Sequence, residues 1–199
     1  GVTFDNREEF AAGVAAERGL AMVHPFDNWD VIHGQGTVAM EVLEDCSDIE
    51  AIVAPIGGGG LLAGIALATR HRAASVKVIG VEPDTADDAA RSFTTGTRQQ
   101  LSTTPATLAD GVKSLAIGER NFEVLVERRL ADAIVTVTED GLRAAVGTLW
   151  HTGHLGVEPS AALPLAAFRA GKLPISTSGR VALVVSGGNF DPAIVRDIL

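Results

Sequence analysis

Residues 54–66 read APIGGGGLLAGIA. The apolar run 51–56 leads into four consecutive glycines, Gly57 to Gly60, and then into a segment with helical character. Ordering four adjacent glycines loses more backbone entropy than ordering other residues. A tight turn alone needs one residue with positive φ, two at most. A strand, a glycine run and a helix in succession present backbone N–H groups to an anion. The helix N-terminus adds its partial positive charge. Without Cβ atoms, phosphate oxygens can come close to the main chain.

Outward from this loop, strands and helices alternate. Strands are expected at 51–56, 76–82, 133–138 and 180–186, with earlier ones at 1–4 and 20–26. Helices are expected at 5–18, 34–45, 61–72, 85–95, 121–130, 139–154 and 160–171, with a short one running to Leu199. Asp5 is the expected cap of the first helix, with Glu8 three residues on and Phe10 and Val14 on one face. Gly19 stops that helix. Residues 96–118 have no clear period and read as a long loop, where function often sits. The rhythm predicts an α/β fold: a mostly parallel twisted sheet with helices on both faces. AIVAPI, 51–56, is the continuous apolar run of a strand buried on both sides.

The bulk properties narrow the function. The chain has 199 residues and a formal charge of −9, with no basic stripe to neutralise phosphates, so nucleic acid is not an expected partner. No apolar run approaches the ~20 residues of a membrane span, and no signal peptide opens the chain. The single cysteine, Cys46, makes no internal disulfide, and no Cys/His cluster has zinc spacing. The expected location is cytoplasmic.

Two phosphate readings compete at the glycines. A P-loop is excluded, because no Lys-Ser or Lys-Thr follows. Gly58-x-Gly60-x-x-Ala63 satisfies the dinucleotide fingerprint, and Glu82 ends the next strand where a ribose-binding acid belongs, so NAD binding is an alternative. Two features disfavour it. Strand–helix units precede the glycine strand, so it is not the first of the fold. A second glycine turn, Ser186-Gly187-Gly188-Asn189, follows the last buried strand. Both turns lie at carboxyl ends of strands, where ligands of open parallel sheets bind, and can face one site.

Six segments then occur in order: VIHGQGTVAMEVL (31–43), PIGGGGLLAG (55–64), VIGVEPDTADD (78–88), ADGVKS (109–114), GVEPSAA (156–162) and VVSGGN (184–189). Together they resemble the fold type II pyridoxal-phosphate enzymes of the threonine dehydratase and serine racemase group. The resemblance implies that Gly57, Gly58, Gly59 and Gly60, with the amide of Leu61, cradle the cofactor phosphate. It implies that Ser186 hydrogen-bonds the pyridine nitrogen, and that a hydroxyl there moderates the electron sink. Glu158 would lie near the cofactor ring, and Asp110 and Gly111 would border the substrate. Glu82, Asp88 and the carbonyl of Ala86 match a divalent-cation site, for Mg²⁺ or Ca²⁺. Residue by residue, plainer readings stand beside these. Ser186 can be a turn hydroxyl, Glu158 an acid at the mouth of the helix opened by Pro159 and Ser160, Asp110 part of a solvated turn, and the acids around Asp84 and Asp87 ordinary surface groups.

The resemblance also has a departure. The family forms its Schiff base through a lysine in an N-terminal Ser-x-Lys segment. The lysines here are Lys77, Lys113 and Lys172, and Lys113, in GVKS, matches a different family position. The chain therefore reads as the C-terminal portion of such an enzyme. Residues 1–30 are expected to be the tail of the small domain and 31–199 an incomplete large cofactor domain. The implied reaction is β-elimination of water from a hydroxy amino acid, giving a 2-oxo acid and ammonia, with this chain alone inactive. Racemisation and a non-catalytic remnant binding a phosphate ligand or a partner remain open. Homo-oligomerisation and docking with the absent N-terminal portion are expected, because surface covered by that portion would be apolar.

Overall fold

The structure, a computed structural model, describes residues 1–2, 6–176 and 178–198. In chain order the elements are α1 (Arg7–Arg18), α2 (Trp29–Gln35), α3 (Thr37–Asp45), β1 (Ile49–Pro55), α4 (Gly60–Arg72), β2 (Lys77–Pro83), α5 (Asp88–Thr95), α6 (Glu119–Phe122), β3 (Ala133–Val137), α7 (Glu139–His151), α8 (Leu163–Arg169), β4 (Arg180–Leu183) and α9 (Pro192–Ile198). The four strands form one sheet in the order β3-β2-β1-β4, and every pairing is parallel. Ile52 pairs with Val78 on one side and Ala182 on the other. The Val184 amide donates to the Val53 carbonyl at 2.9 Å, extending the β4 pairing past the strand. The expected parallel, doubly covered sheet is therefore the architecture.

Alternation along the strands explains the two layers. Ile52, Ala54 and Val78 face a core shared with α2, α3 and α4. Ala51, Val53, Ile79 and Val81 face the opposite core, shared with α7 and α8. Each fully buried Ile or Val side chain contributes about 1.5–3 kcal/mol, so the two layers together favour β1 and β2 at the centre. The layer over α4 is unusually close. A Cβ on Gly64 would overlap the Ile32 carbonyl oxygen, and one on Gly36 would stand 3.0 Å from the Gly64 carbonyl oxygen. Only glycine lets α2, α3 and α4 cross at that distance.

Several boundaries differ from the sequence reading, each for a local reason. The expected helix 34–45 starts earlier, at Trp29, because the Asn28 side chain accepts from the Asp30 and Val31 amides. It breaks at Gly36. The expected strand at 20–26 is not one. Residues 20–23 are exposed and, among the described residues, pair with no strand, and the chain then turns where the Phe26 and Asp27 amides donate to His24 Nδ1, at 3.4 and 2.9 Å. Residues 1 and 2 are not in a strand; the rest of that expected strand and the Asp5 cap lie outside the described residues. The expected helix 121–130 ends at Phe122 and continues as a wide turn, in which the Arg128 amide donates to the Glu123 carbonyl five residues back. The helix expected from Thr85 starts at Asp88, those at 139 and 160 end at His151 and Arg169, and the last strand stops at Leu183. Helix α1 forms as expected but buries none of its residues, and Phe10 is 56% exposed. Among the described residues no helix is long and apolar enough to cross a membrane.

Candidate functional site

Strand β1 delivers the chain to the glycines. Its last tie to the sheet is the Ile56 amide, donating to the Val81 carbonyl at 2.9 Å. Each glycine then meets a neighbour that no side chain would clear. A Cβ on Gly57 would lie 2.7 Å from Val112 Cα, one on Gly58 would overlap the Phe26 ring, and one on Gly60 would lie 2.9 Å from the Phe26 carbonyl oxygen. Gly59 has φ +92°, a conformation L-residues rarely take, and a Cβ there would meet Asn121 at 2.9 Å. The loop is therefore wedged between the turn at 110–112, the His24–Asp27 segment and α6.

That wedge leaves the amides unused. Among the described residues, no hydrogen bond engages the N–H groups of Gly57 through Leu61. Helix α4 begins at Gly60 without a side-chain cap. Five successive undonated amides at the N-terminus of a 13-residue helix fit a phosphate dianion in charge and donor number. A cavity of about 390 Å³ opens over them.

The residues singled out in the sequence converge on this cavity. Gly57 to Leu61, Asp110, Gly111, Glu158 and Ser186 all line it, drawn from four separate loops. The turn Pro159–Ala162 ties these loops together. Ser160 Oγ accepts from the Gly111 amide at 2.9 Å, and the Glu158 amide donates to the Gly187 carbonyl at 3.2 Å. The Glu158 carboxylate lies against both glycines: Oε2 would stand 2.8 Å from a Cβ on Gly187, and Oε1 3.5 Å from one on Gly111.

Of the three lysines, Lys113 lines the cavity. Lys77 Nζ donates to Glu50 and to the Pro174 carbonyl, and Lys172 Nζ to the Thr136 carbonyl.

Glu82 and Asp88 lie elsewhere. Neither lines the glycine cavity, so Glu82 does not stand where a ribose-binding acid would. Both are buried, at 1% and 2% exposure. Glu82 accepts from the Ala90 amide at 2.7 Å. Burial pushes its carboxyl well above the ordinary range, and the Asp88 charge adds to the shift. Burial likewise pushes Asp88 up to about 7, and its Oδ2 has no hydrogen-bond partner. Among the described residues no group of three or more His, Cys, Asp or Glu is placed to hold a metal ion.

Sequence reasoning missed four residues around the loop. Gln35 and Phe26 line the cavity. Asp27 accepts from the Glu119 and Arg120 amides at the start of α6, at 3.2 and 3.0 Å. The buried Asn121 donates to the Gly58 and Phe26 carbonyls, at 2.7 and 3.0 Å. Gln35 sits inside the GQGT segment and could have been selected with it. Phe26 acts on Gly58 across 32 residues, and Asp27 and Asn121 act over more than 60, separations that no local pattern announces.

Known proteins share this fold and much of this sequence. The family model for pyridoxal-phosphate dependent enzymes matches residues 1–187. The L-threo-3-hydroxyaspartate ammonia-lyase of Saccharomyces cerevisiae is 38% identical over 187 residues, covering 94% of this chain and 56% of its own length. A serine racemase of Arabidopsis thaliana is 39% identical, covering 95% of this chain and 57% of its own length. The crystal structure of a threonine deaminase from T.th. superposes with a TM-score of 0.86 at 44% identity, covering 94% of this chain and 63% of that one. The chain thus spans a little over half the length of these two curated relatives. With a parallel sheet, a glycine loop of free amides and a match over 187 residues, the chain belongs to the pyridoxal-phosphate dependent enzymes, in the fold type II group of threonine dehydratases and serine racemases.

Proposed function

We propose that this chain forms the cofactor-holding part of an ammonia-lyase that removes water from a small hydroxy amino acid, releasing a 2-oxo acid and ammonia. The observation that carries this reading is the convergence of nine sequence-selected residues on one cavity with five undonated amides at its floor. The residues present fit pyridoxal phosphate, which supplies an electron sink for the substrate carbon when bound.

The chain's own groups have distinct tasks. The Gly57–Leu61 amides and the α4 N-terminus take the phosphate. Ser186, in the turn beyond β4, offers a hydroxyl to the ring nitrogen; a weak acid there leaves that nitrogen largely unprotonated. Glu158 holds a carboxylate beside Gly111 and Gly187, so it can orient groups at the ring. Asp110 and Gly111 border the amino acid, their turn held by Ser160. No lysine of this chain is assigned the amine. Residues 31–199 act as the cofactor domain and residues 1–30 as the tail of the small domain, whose helix α1 buries nothing while Phe26 and Asp27 pack against the glycine loop and α6.

The test is to combine this chain with the lysine-bearing N-terminal portion and pyridoxal phosphate, to add L-threonine, L-serine or L-threo-3-hydroxyaspartate, and to follow 2-oxo acid and ammonia together. Equimolar release of both supports the reading. Failure of pyridoxal phosphate to bind at all would remove it. Racemisation is the second reading, because a serine racemase matches at 39% identity beside the lyase at 38%; a chiral assay of serine separates the two.

Glu82, Asp88 and the Ala86 carbonyl form a divalent-cation site in this proposal. The unpartnered Asp88 Oδ2 supports it, since a buried carboxylate oxygen without a donor calls for a positive neighbour. Calorimetric titration with Mg²⁺ and Ca²⁺ tests it, and no heat from either ion would dismiss it.

A further inference from the structure

The four glycines do not aim their own amides; something must hold the peptide planes. In a trans peptide the carbonyl and the following N–H point in opposite directions. The chain has no cis bonds among the described residues, so fixing the Gly58 carbonyl fixes the Gly59 amide. That carbonyl accepts from two donors, Asn121 Nδ2 at 2.7 Å and the Gly118 amide at 3.0 Å. Neither Asn121 nor Gly118 lines the glycine cavity, so the carbonyl is drawn away from it.

The Asn121 amide is oriented without ambiguity. Its Nδ2 faces two carbonyl oxygens, those of Gly58 and Phe26, and the reversed orientation would set oxygen against oxygen. Its Oδ1 is buried with no partner. That orphaned oxygen offsets part of what the two bonds contribute, so fold stability alone accounts poorly for an amide here. Asn121 also supports Gly59, whose missing Cβ would lie 2.9 Å from its own. Through Phe26 the same side chain holds the ring that presses on Gly58.

We infer that Asn121 is a positioning residue for the phosphate cradle: by drawing the Gly58 carbonyl inward, it turns the Gly59 N–H toward the cavity and the anion. This rests on the phosphate reading of the glycine loop. Asn121 itself touches neither cofactor nor substrate. The consequence is selective. Losing the Asn121 donor should weaken recognition of the phosphate group while leaving the contacts to the ring, made by other loops, in place.

The test compares pyridoxine 5′-phosphate with pyridoxine, which differ by the phosphate alone and lack the aldehyde needed for a covalent bond. Their affinities are measured calorimetrically for the native protein and for Asn121→Ala and Asn121→Leu, neither of which adds charge. The native protein should prefer the phosphorylated ligand, and that preference should fall about tenfold in both variants, the size expected for a hydrogen bond to a charged group. Equal weakening of both ligands would mean a merely structural role and overturn the inference. A native protein without preference would overturn the phosphate reading and this inference with it. A native preference retained in the variants would overturn the inference alone. Should the variants not fold, nuclear magnetic resonance of the native protein with inorganic phosphate decides. The Gly59 amide should be among those most shifted, and a silent Gly59 amide would overturn the proposal.

Discussion

The sheet ends in two glycine turns at its carboxyl edge, and they are built differently. After β1, at the centre, Gly57 to Gly60 are hemmed in by Val112, Phe26 and Asn121, and three of the four are buried. After β4, at the edge, Ser186 and Gly188 are exposed, and a Cβ on Gly187 would first meet the Glu158 carboxylate. The same residue type thus answers two demands. At the centre, backbone stands where a side chain on Gly57 or Gly60 would go, and the packed Phe26 ring and Asn121 stand where one on Gly58 or Gly59 would go. At the edge, a Cβ on Gly188 would stand 2.9 Å from the Gly156 carbonyl oxygen, but the obstacle at Gly187 is the end of a flexible side chain that can move. The centre is fixed by burial, so perturbing it should destabilise strongly; the edge is fixed by little within this chain, so perturbing it should cost little.

The largest expected effect lies at the central strands, beside β2. Asp88 keeps its proton up to about pH 7 in the folded protein, whereas an unfolded aspartate releases it near 3.9. Between those values the folded state binds more protons, so stability falls as pH rises. It is full below about pH 4 and lowest above pH 7, with a drop of about 4 kcal/mol for a shift of this size. The raised Glu82 acts in the same direction. Denaturation in chelator across pH 4–8 should show the fall, and Asp88→Asn should flatten part of it, with Glu82 carrying the rest. If Ca²⁺ or Mg²⁺ binds there, adding it should restore stability at pH 8 and do little at pH 4. A profile that rises through this window would contradict the buried-acid account.

Next comes Gly58→Ala. Its Cβ would overlap the Phe26 ring, and forcing extra atoms into a packed site costs about 3 kcal/mol. Gly187→Ala should cost less than about 1 kcal/mol, because Glu158 can swing aside. Urea midpoints with unchanged slopes measure both. Equal losses would break the contrast between centre and edge.

This contrast also explains what was legible in advance. AIVAPI announced itself as a doubly buried strand because its apolar run has no polar interruption. The glycine loop was legible because four glycines have few uses, although the phosphate argument supplied only half the reason. The packing of Phe26 against Gly58 supplies the other half, and it joins residues 32 apart. LAMVHPF looked equally strand-like from Leu20, yet among the described residues no strand lies beside it, and His24 turns the chain with its own ring nitrogen. Apolar composition reports a wish for burial and not the partner that satisfies it. Asn121 and Asp27 stayed hidden for the same reason: their chemistry is ordinary until the fold sets them against the backbone of a distant loop.

Asp27 gives the third test. Its carboxylate takes two amides at the start of α6 and pairs with Arg120 at 3.6 Å. Asp27→Ala leaves those amides without their acceptor and should cost about 1 kcal/mol, as for a lost helix cap. The effect should lie between those of Gly58→Ala and Arg180→Ala in a single denaturation series. A loss as large as that of Gly58→Ala would mean that Asp27, rather than the packing of Phe26, holds this segment to the loop.

The smallest effect belongs to the edge. Arg180 begins β4, and one of its terminal nitrogens donates to both oxygens of Asp48. That hydrogen bond holds the Asp48 carboxyl below its ordinary range. By sign, any stability from the pair is present above the unfolded aspartate value and lost as pH falls through the folded one. Both side chains are more than 60% exposed, however. Water and salt screen such a pair, and ordering two side chains offsets most of what attraction remains. Arg180→Ala should therefore leave the melting temperature unchanged within error, at low and at moderate ionic strength alike. A clear loss that shrinks with added salt would show that charge pinning at Arg180 secures β4. The edge would then be held by an ion pair, where the centre is held by packing.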